Sequence, residues 1–314
     1  MKTFKIQVEV KSPLLTPLHG DTLFGHLCWG IVRHEGEDAL QEFFLKYKDV
    51  NTIPIILSNA FPEDTIPYPQ LSPSMLKETD NIEEYKLRKK EKKYSCIPAE
   101  LILNNNQKIS RETIHNSVRE KTIESYRACS RLRNKINRLS NTTFEDSVYP
   151  VEEIWYFERY KNGKSLPALL DIYALSNENE NRIEELLEWA IETGYGADKS
   201  LGYGILNIKG IEEVFFPETG NRCMALGHFV PEKNENLKNL KADVFTKYGK
   251  LSGDKLLSSN PFKKPIVMYR EGATFDFSGQ QFVGTLLKDV HADNRIRHHA
   301  FAPLIRFTEE EKTS

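Results

Sequence analysis

The stretch GYGADKSLGYG, residues 194–204, is the most informative segment of this chain for its fold. It follows an amphipathic helical pattern at residues 181–191 and precedes a strand pattern at residues 205–211. Glycine lets backbone amides approach a ligand closely, and successive amides form concavities that bind anions. Lys199 adds charge and Ser200 a hydroxyl, while Tyr195 and Tyr203 offer rings for stacking on bases. The stretch therefore predicts a loop that contacts a phosphate-bearing ligand.

The residue order of this loop argues against two known nucleotide-binding motifs. A P-loop requires GxxxxGK[ST], which is missing here. A dinucleotide fingerprint requires glycines after a strand and before a helix, which is the reverse of the order here. The remaining alternative is a tight helix-to-strand turn in which the glycines serve packing. Four glycines together with Lys-Ser favour ligand contact over that alternative.

The patterns around the loop predict an α+β chain of two domains. Residues 1–216, without a basic insertion at about residues 58–147, follow the order β-α-β-β-α-β of a ferredoxin-like domain, with two helices on one face of an antiparallel sheet. Asp21 is expected to cap the first helix, which runs from Gly20 to about residue 32. Four prolines between residues 61 and 73 predict an extended path without regular structure. Residues 217–314 are rich in strand patterns and predict a second, β-rich domain.

Composition supports a folded protein with one localised basic region. The 314 residues carry a net charge of −2 and are 39% hydrophobic, which suits two domains with cores. Residues 86–138 hold 15 basic and five acidic residues, in an otherwise acidic chain. The run at residues 86–93 is as compatible with a solvated arm as with RNA contact. Arginines 127, 131, 133 and 138, with Lys135, Asn134 and Asn137, suit single-stranded RNA, and the alternative is a solvated basic helix face.

The sequence suggests no metal, cofactor or catalytic centre. Its four cysteines lie far apart without a Cys/His cluster, so a zinc site and disulfides are not expected. Adjacent strand residues point to opposite faces, which disfavours a metal pair at His298 and His299. His19, which precedes a helix start, is the one candidate for the catalytic imidazole of a metal-independent ribonuclease. The alternative is a loop histidine that hydrogen-bonds RNA or backbone. No apolar run is long enough to span a membrane, and a reduced cytoplasm is the expected location.

Several segments together resemble a known family. The glycine-rich loop resembles that of the RAMP superfamily of CRISPR RNA-binding proteins. Further segments resemble the Csm-type, 5′-handle-binding subunits of type III-A effectors, although Asn59 replaces their usual Asp. These segments are residues 19–25 (HGDTLFG), 58–62 (SNAFP), 134–138 (NKINR) with 148–149 (VY), 248–251 (YGKL), 260–265 (NPFKKP) and 298–302 (HHAFA).

The resemblance implies two ferredoxin-like domains and a subunit without nuclease activity. It implies binding of the 5′ repeat-derived handle of a guide RNA, and contacts with a large polymerase-like subunit and with the first backbone subunit. An endoribonuclease that processes guide RNA, within the same superfamily, is the alternative. The residues expected to bind RNA are His19, Gly20, Thr22, Arg127, Arg131, Arg133, Asn134, Asn137, Arg138, Gly194, Tyr195, Gly196, Lys199, Ser200, Gly202, Tyr203 and Gly204.

Overall fold

A computed structural model describes residues 1–71, 94–103, 108–120, 126–156, 159–161, 164–251 and 260–310. The basic run at residues 86–93 therefore lies outside the described residues. The described chain contains a four-stranded and a five-stranded sheet, with several two-stranded ribbons. Helices and sheets are both present, which confirms the predicted α+β class.

The first sheet has the strand order expected of a ferredoxin-like domain. Its strands are β1 (Lys2–Val10), β2 (Ile55–Pro62), β12 (Leu169–Ser176) and β13 (Leu206–Glu213). They lie in the order β13-β1-β12-β2, and all three neighbouring pairs are antiparallel. The β2 strand continues to Pro62, so residues 58–62 belong to this sheet and the inserted segment begins after them.

Two helices cover one face of this sheet because their apolar residues recur at helical spacing. They are α1 (Gly20–Glu35) and α5 (Glu180–Ile191), and α2 (Glu37–Leu45) follows α1 directly. Leu23, Leu27 and Ile31 of α1 pack with the inward residues of β1, and Leu186 of α5 belongs to the same core. The side chain of Asn179 caps α5 by accepting a hydrogen bond from the amide of Arg182.

The inserted segment forms short strands, small helices and one long hairpin. The two long strands of the hairpin are β6 and β9, and β7 and β8 lie at its turn. The elements are β3 (Thr65–Pro67), β4 (Cys96–Pro98), α3 (Glu100–Leu103), β5 (Lys108–Ile109), α4 (Arg111–Glu120), β6 (Tyr126–Arg133), β7 (Ile136–Asn137), β8 (Thr142–Thr143), β9 (Tyr149–Tyr156), β10 (Arg159–Lys161) and β11 (Lys164–Leu166).

One sequence-based expectation for this region is wrong, and so is the alternative weighed against RNA contact. The prolines between residues 61 and 73 do not exclude regular structure, because β3 pairs with β4 in a short antiparallel ribbon. Proline is tolerated at the end of such a short strand, where a ladder amide is not needed. The basic run at residues 127–138 is not one face of a helix, because its first half is the strand β6.

The second sheet is built by the C-terminal third of the chain. Its strands lie in the order β17-β14-β19-β18, and β5 pairs in parallel with β19. Within residues 214–251 and 260–310 the structure contains no helix, so a second ferredoxin-like domain stays a prediction. The strands of this sheet are β14 (Arg222–Ala225), β17 (Thr274–Asp276), β18 (Phe282–Leu287) and β19 (His298–Glu309), and β15 (Val244–Lys247) pairs with β16 (Ile266–Tyr269) in a separate two-stranded ribbon.

The two sheets share a packed interface. Phe301 of β19 packs with Ile56 of β2 and Leu175 of β12 in one buried cluster. The amide of Asn59 donates a hydrogen bond to the carbonyl of Leu226 (2.9 Å). The start of α1 lies at this interface, which brings residues from both ends of the chain together.

Two glycines of α1 give a matched test of helix packing. A Cβ at Gly30 would lie 2.7 Å from Cβ of Trp189 on α5, whereas a Cβ at Gly25 would meet nothing within 4 Å. We expect Gly30→Ala to lower the free energy of unfolding by about 1–3 kcal/mol because of overpacking. Gly25→Ala should raise it by about 0.5–1 kcal/mol, the usual gain for alanine in a helix. Chemical denaturation measures both, and equal effects would contradict the close approach of α1 and α5.

Candidate nucleic-acid interface

The glycine-rich loop at residues 194–204 is a compact turn anchored at both ends. It begins after α5 and ends before β13, and a single 3-10 turn lies at Lys199–Leu201. The amide of Tyr195 donates to the carbonyl of Gly204 (2.8 Å), and the amide of Gly204 donates to the carbonyl of Pro13 (3.0 Å). These bonds close the base of the loop and leave its tip, residues 197–202, projecting from it.

Two residues expected to contact RNA are instead part of the protein interior. Tyr195 is 1% exposed, and its hydroxyl donates to the carbonyl of Pro17 (2.7 Å) and accepts from the amide of His19 (3.1 Å). Its ring therefore cannot stack on a base, which corrects that expectation. At Gly204, φ is +70° and a Cβ would lie 1.9 Å from the carbonyl oxygen of Tyr195. This glycine is needed for packing, as the tight-turn alternative requires.

The loop tip offers backbone donors that are free to bind a ligand. The amide of Gly196 is already used, because it donates to Nε2 of His26 (3.1 Å), and the amide of Gly194 donates to Ile191. Among the described residues, no acceptor is found for the four successive amides of residues 197–200. Asp198 adopts the left-handed conformation (φ 55°, ψ 26°), a geometry in which neighbouring amides converge on an anion.

The side chains at the tip are only partly free. Nζ of Lys199 donates to Oγ1 of Thr193 (2.8 Å), and burial lowers the pKa of Lys199. Ser200, Leu201 and Gly202 are exposed. A phosphate at this tip would therefore meet backbone amides first and one lysine second.

The hairpin of β6 and β9 carries several arginines, one of which reaches this loop. The two strands pair in register from Tyr126 with Tyr156 to Arg133 with Tyr149. Because side chains alternate along a strand, Arg127, Arg131 and Arg133 lie on one face of β6. Arg127 and Arg131 are exposed, whereas Arg133 is half-buried.

Arg133 joins the hairpin to the glycine-rich loop. Its guanidinium lies 2.5 Å from Oδ2 of Asp198 and 4.9 Å from the centre of the Tyr203 ring. The hydroxyl of Tyr203 donates to Oε1 of Glu153 on β9 (2.6 Å), and this bond holds the pKa of the buried Glu153 carboxyl below its usual value. The basic hairpin and the glycine-rich loop, more than 60 residues apart in the sequence, thus form one surface. Arg133 and Tyr203 already have partners within this surface.

The end of the hairpin carries exposed cations and exposed apolar side chains. Lys135 and Arg138 are exposed. Asn134 donates to Thr143, and the Oδ1 of Asn137 accepts from the amide of Leu139, so both asparagines help to form the turn. The sequence-based expectations missed three apolar side chains in this region, which are Leu132, Ile136 and Leu139 at 70%, 57% and 98% exposed.

The expected site residues at the start of α1 lie below the loop, against the second sheet. The amide of Gly20 donates to Oδ1 of Asn59 (3.1 Å), and a Cβ at Gly20 would lie 2.5 Å from a backbone carbonyl. Thr22 donates to Oδ1 of Asp21 (3.2 Å) and accepts from Lys247 (3.1 Å). Gly20 and Thr22 are therefore engaged in internal contacts.

Asp21 does not cap α1, which corrects that expectation. The N-cap position is His19, and no side chain caps the helix there. The Asp21 side chain is completely buried and pairs with Lys247 (2.5 Å).

The ring of His19 packs edge-on against that of His228, 4.5 Å between centres. Burial, and next the neighbouring charge of His228, lowers the pKa of His19 to about 3. A general base works best with a pKa near the working pH, so His19 is poorly suited to that role.

Comparison with known proteins places this geometry in a known fold. No protein-family model matches the sequence, and no curated protein matches it. Solved structures match over almost the whole chain, among them Csm4 in the Csm1-Csm4 cassette with pppApA, which is 16% identical with a TM-score of 0.57 and covers 99% of this chain and 100% of that one. This chain has the fold of Csm4.

Two further matches have the same extent. The Csm1-Csm4 cassette with AMPPNP gives 15% identity and a TM-score of 0.58, over 99% of this chain and 100% of that one. The Csm3-Csm4 subcomplex of the type III-A CRISPR-Cas interference complex gives 17% identity and a TM-score of 0.54, over 98% and 99%. The resemblance to Csm-type subunits is thereby confirmed for the fold. In the part of the chain that the structure describes, no helix has the length and hydropathy needed to cross a membrane.

Proposed function

We propose that this chain is a non-catalytic, RNA-binding subunit of a type III CRISPR effector. In this role it binds the 5′ repeat-derived handle of the guide RNA and links the large polymerase-like subunit to the first backbone subunit. The observation that carries the proposal is the junction at Arg133, which combines the arginine face of β6 and the glycine-rich loop into one surface. The fold shared with Csm4, which is found with Csm1 and with Csm3, supports the choice of partners.

The handle would bind through two kinds of contact. Phosphates would meet the unpaired amides of residues 197–200 and the exposed guanidinium groups of Arg127, Arg131 and Arg138. Extruded bases would stack on the guanidinium planes and on the apolar side chains at the hairpin end. Recognition of the eventual target would be left to base pairing with the guide, as in other RNA-guided systems.

Copurification tests this function with the protein as it assembles. We expect the tagged chain, expressed with the other subunits and a repeat-spacer RNA, to retain the large subunit, the backbone subunit and a guide with a defined 5′ end. Crosslinking of that RNA followed by mass spectrometry should place handle nucleotides on residues 127–138 and 197–203. An assembled complex whose handle crosslinks only to other subunits would overturn the proposal.

The ribonuclease alternative makes an opposite prediction. We expect the purified chain to leave repeat RNA uncut, with or without divalent metal ions, because the low pKa of His19 makes it a weak base. Denaturing gel electrophoresis of labelled repeat RNA measures this. A discrete cut that persists through purification and is lost in His19→Ala would establish the enzyme instead.

A further inference from the structure

Four chemistry-bearing side chains from three distant segments meet where α1 faces the second sheet. His19 and Asp21 lie at the start of α1, His228 follows β14, and His298 begins β19. The side chains of Asp21, His228 and His298 are 0%, 1% and 4% exposed. The ligand-type atoms of His19, Asp21 and His228 all lie within 4.8 Å of one another. Over 200 residues separate His19 from His228, so no spacing pattern in the sequence reveals the cluster.

The inward-facing atoms of this cluster have no hydrogen-bond partner among the described residues. They are Oδ2 of Asp21, Nδ1 of His228 and Nε2 of His298. Oδ2 of Asp21 lies 4.0 Å from Nδ1 of His228 and 3.5 Å from Nε2 of His298, which is too long for hydrogen bonds. Ligand atoms about 2.0–2.1 Å from a tetrahedral zinc ion are about 3.3 Å apart. The distance from Asp21 to His298 is close to this value, and the distance from Asp21 to His228 is longer. A bound ion would draw these side chains slightly inward and satisfy the buried carboxylate oxygen and the imidazole nitrogens together.

The outer contacts of the cluster hold these atoms in place. Oδ1 of Asp21 accepts hydrogen bonds from Lys247 (2.5 Å) and Thr22 (3.2 Å), which leaves only Oδ2 facing the histidines. Nε2 of His228 lies 2.8 Å from Oε2 of Glu271. Glu271 thus lies within reach of the far nitrogen, which is the position from which a carboxylate supports a metal-binding histidine by fixing the ring and its tautomer.

Two carboxylates and two lysines surround the cluster. Lys247 neutralises one negative charge at Asp21, and Glu271 supplies a second carboxylate on the opposite side of His228. Lys263 lies on the outer side of His298, 3.5 Å from its other nitrogen.

We propose that His19, Asp21 and His228, with His298 as a fourth ligand, bind one transition-metal ion of the zinc class. A site closed by four protein ligands is structural rather than catalytic. It would connect the start of α1 to the second sheet by bonds from residues 19, 21, 228 and 298. This inference is independent of RNA binding, and its test can fail without affecting the proposed function.

The test uses the full-length protein, stripped of metal by a chelator and dialysed. We expect Zn²⁺ to bind with one ion per chain by calorimetry and to raise the melting temperature, and Mg²⁺ at the same concentration to do neither. Co²⁺ should give the intense visible absorption of a tetrahedral site. Glu271→Gln, which leaves all four ligands intact, should weaken Zn²⁺ binding about 10–100-fold. His228→Asn should weaken it further, and His34→Asn on the exposed part of α1 should leave it unchanged.

The outcomes separate a built site from an adventitious one. No zinc-dependent change in the unmodified protein would overturn the proposal. Zinc affinity that is equal in Glu271→Gln, His228→Asn and the unmodified protein would also overturn it, because the ion would then bind elsewhere. If His228→Asn fails to fold, Glu271→Gln alone decides between these results.

Discussion

Replacing Gly204 with valine will lower the free energy of unfolding by about 3–5 kcal/mol, through backbone strain and overpacking together. Gly204 has a φ of +70°, and a Cβ there would lie 1.9 Å from the carbonyl oxygen of Tyr195. Neither atom can yield easily, because the Tyr195 side chain is buried in the first core and bonded to Pro17 and His19. Thermal and chemical denaturation will measure the loss, and handle binding should disappear with the loop.

Gly202→Val is the matched control, since it separates folding from RNA contact. Gly202 has a φ of +86°, but a Cβ added there would meet no atom within 4 Å, so the cost should be about 1–2 kcal/mol and the protein should stay folded. If RNA passes close to the loop tip, this folded variant will lose handle binding. Equal stability of the two variants would contradict the packing role of Gly204. Native affinity in Gly202→Val would show that the tip does not contact RNA.

Removing three charges from the hairpin will weaken binding of the 5′ handle about 1,000-fold or more, since each charged contact contributes about 1.5–3 kcal/mol. The variant is Arg127→Gln, Arg131→Gln and Arg138→Gln. Its plot of log affinity against log salt should be flatter by about two, because each lost phosphate contact reduces the slope by about 0.7. Filter binding or fluorescence anisotropy over a salt series measures both quantities. Arg133 is left intact because it holds Asp198 and Tyr203 in place.

A triple variant at distant lysines controls for net charge. Lys48, Lys233 and Lys238 are exposed and lie far from the hairpin in the sequence. Changing all three to glutamine removes the same charge and should leave both the affinity and the salt slope nearly unchanged. Equal losses in the two triple variants would mean that long-range attraction, and not contact with the hairpin, accounts for the effect.

The elements that could be predicted from the sequence are those with one buried face. The α1 and α5 helices and β1 place apolar residues on one side, and their periodicity follows that burial. The β6 strand could not be recognised in this way, because all its residues are exposed or half-buried and no apolar alternation arises. The charge of its arginines predicts contact with RNA, but it does not reveal which face of the strand they share.

The site could be located from the sequence but not resolved residue by residue. Tyr195 and Tyr203 both lie between glycines, yet one is buried and the other faces the hairpin. That difference depends on contacts with Pro17 and Glu153, which local sequence does not contain. Asp21 has the sequence position of a helix cap, but Lys247 and two histidines from the C-terminal third surround it.

The parallel pairing of β5 with β19 has a consequence for synthesis of the chain. Ile109, Ile114 and Val118 are buried against Ile305 and Phe307, near the other end of the sequence. A ribosome adding about 5–20 residues per second needs on the order of 10–40 s to make the intervening part. During that time the apolar side chains of the inserted segment lack their partners on β19, so a chaperone that covers them should raise the yield of folded protein.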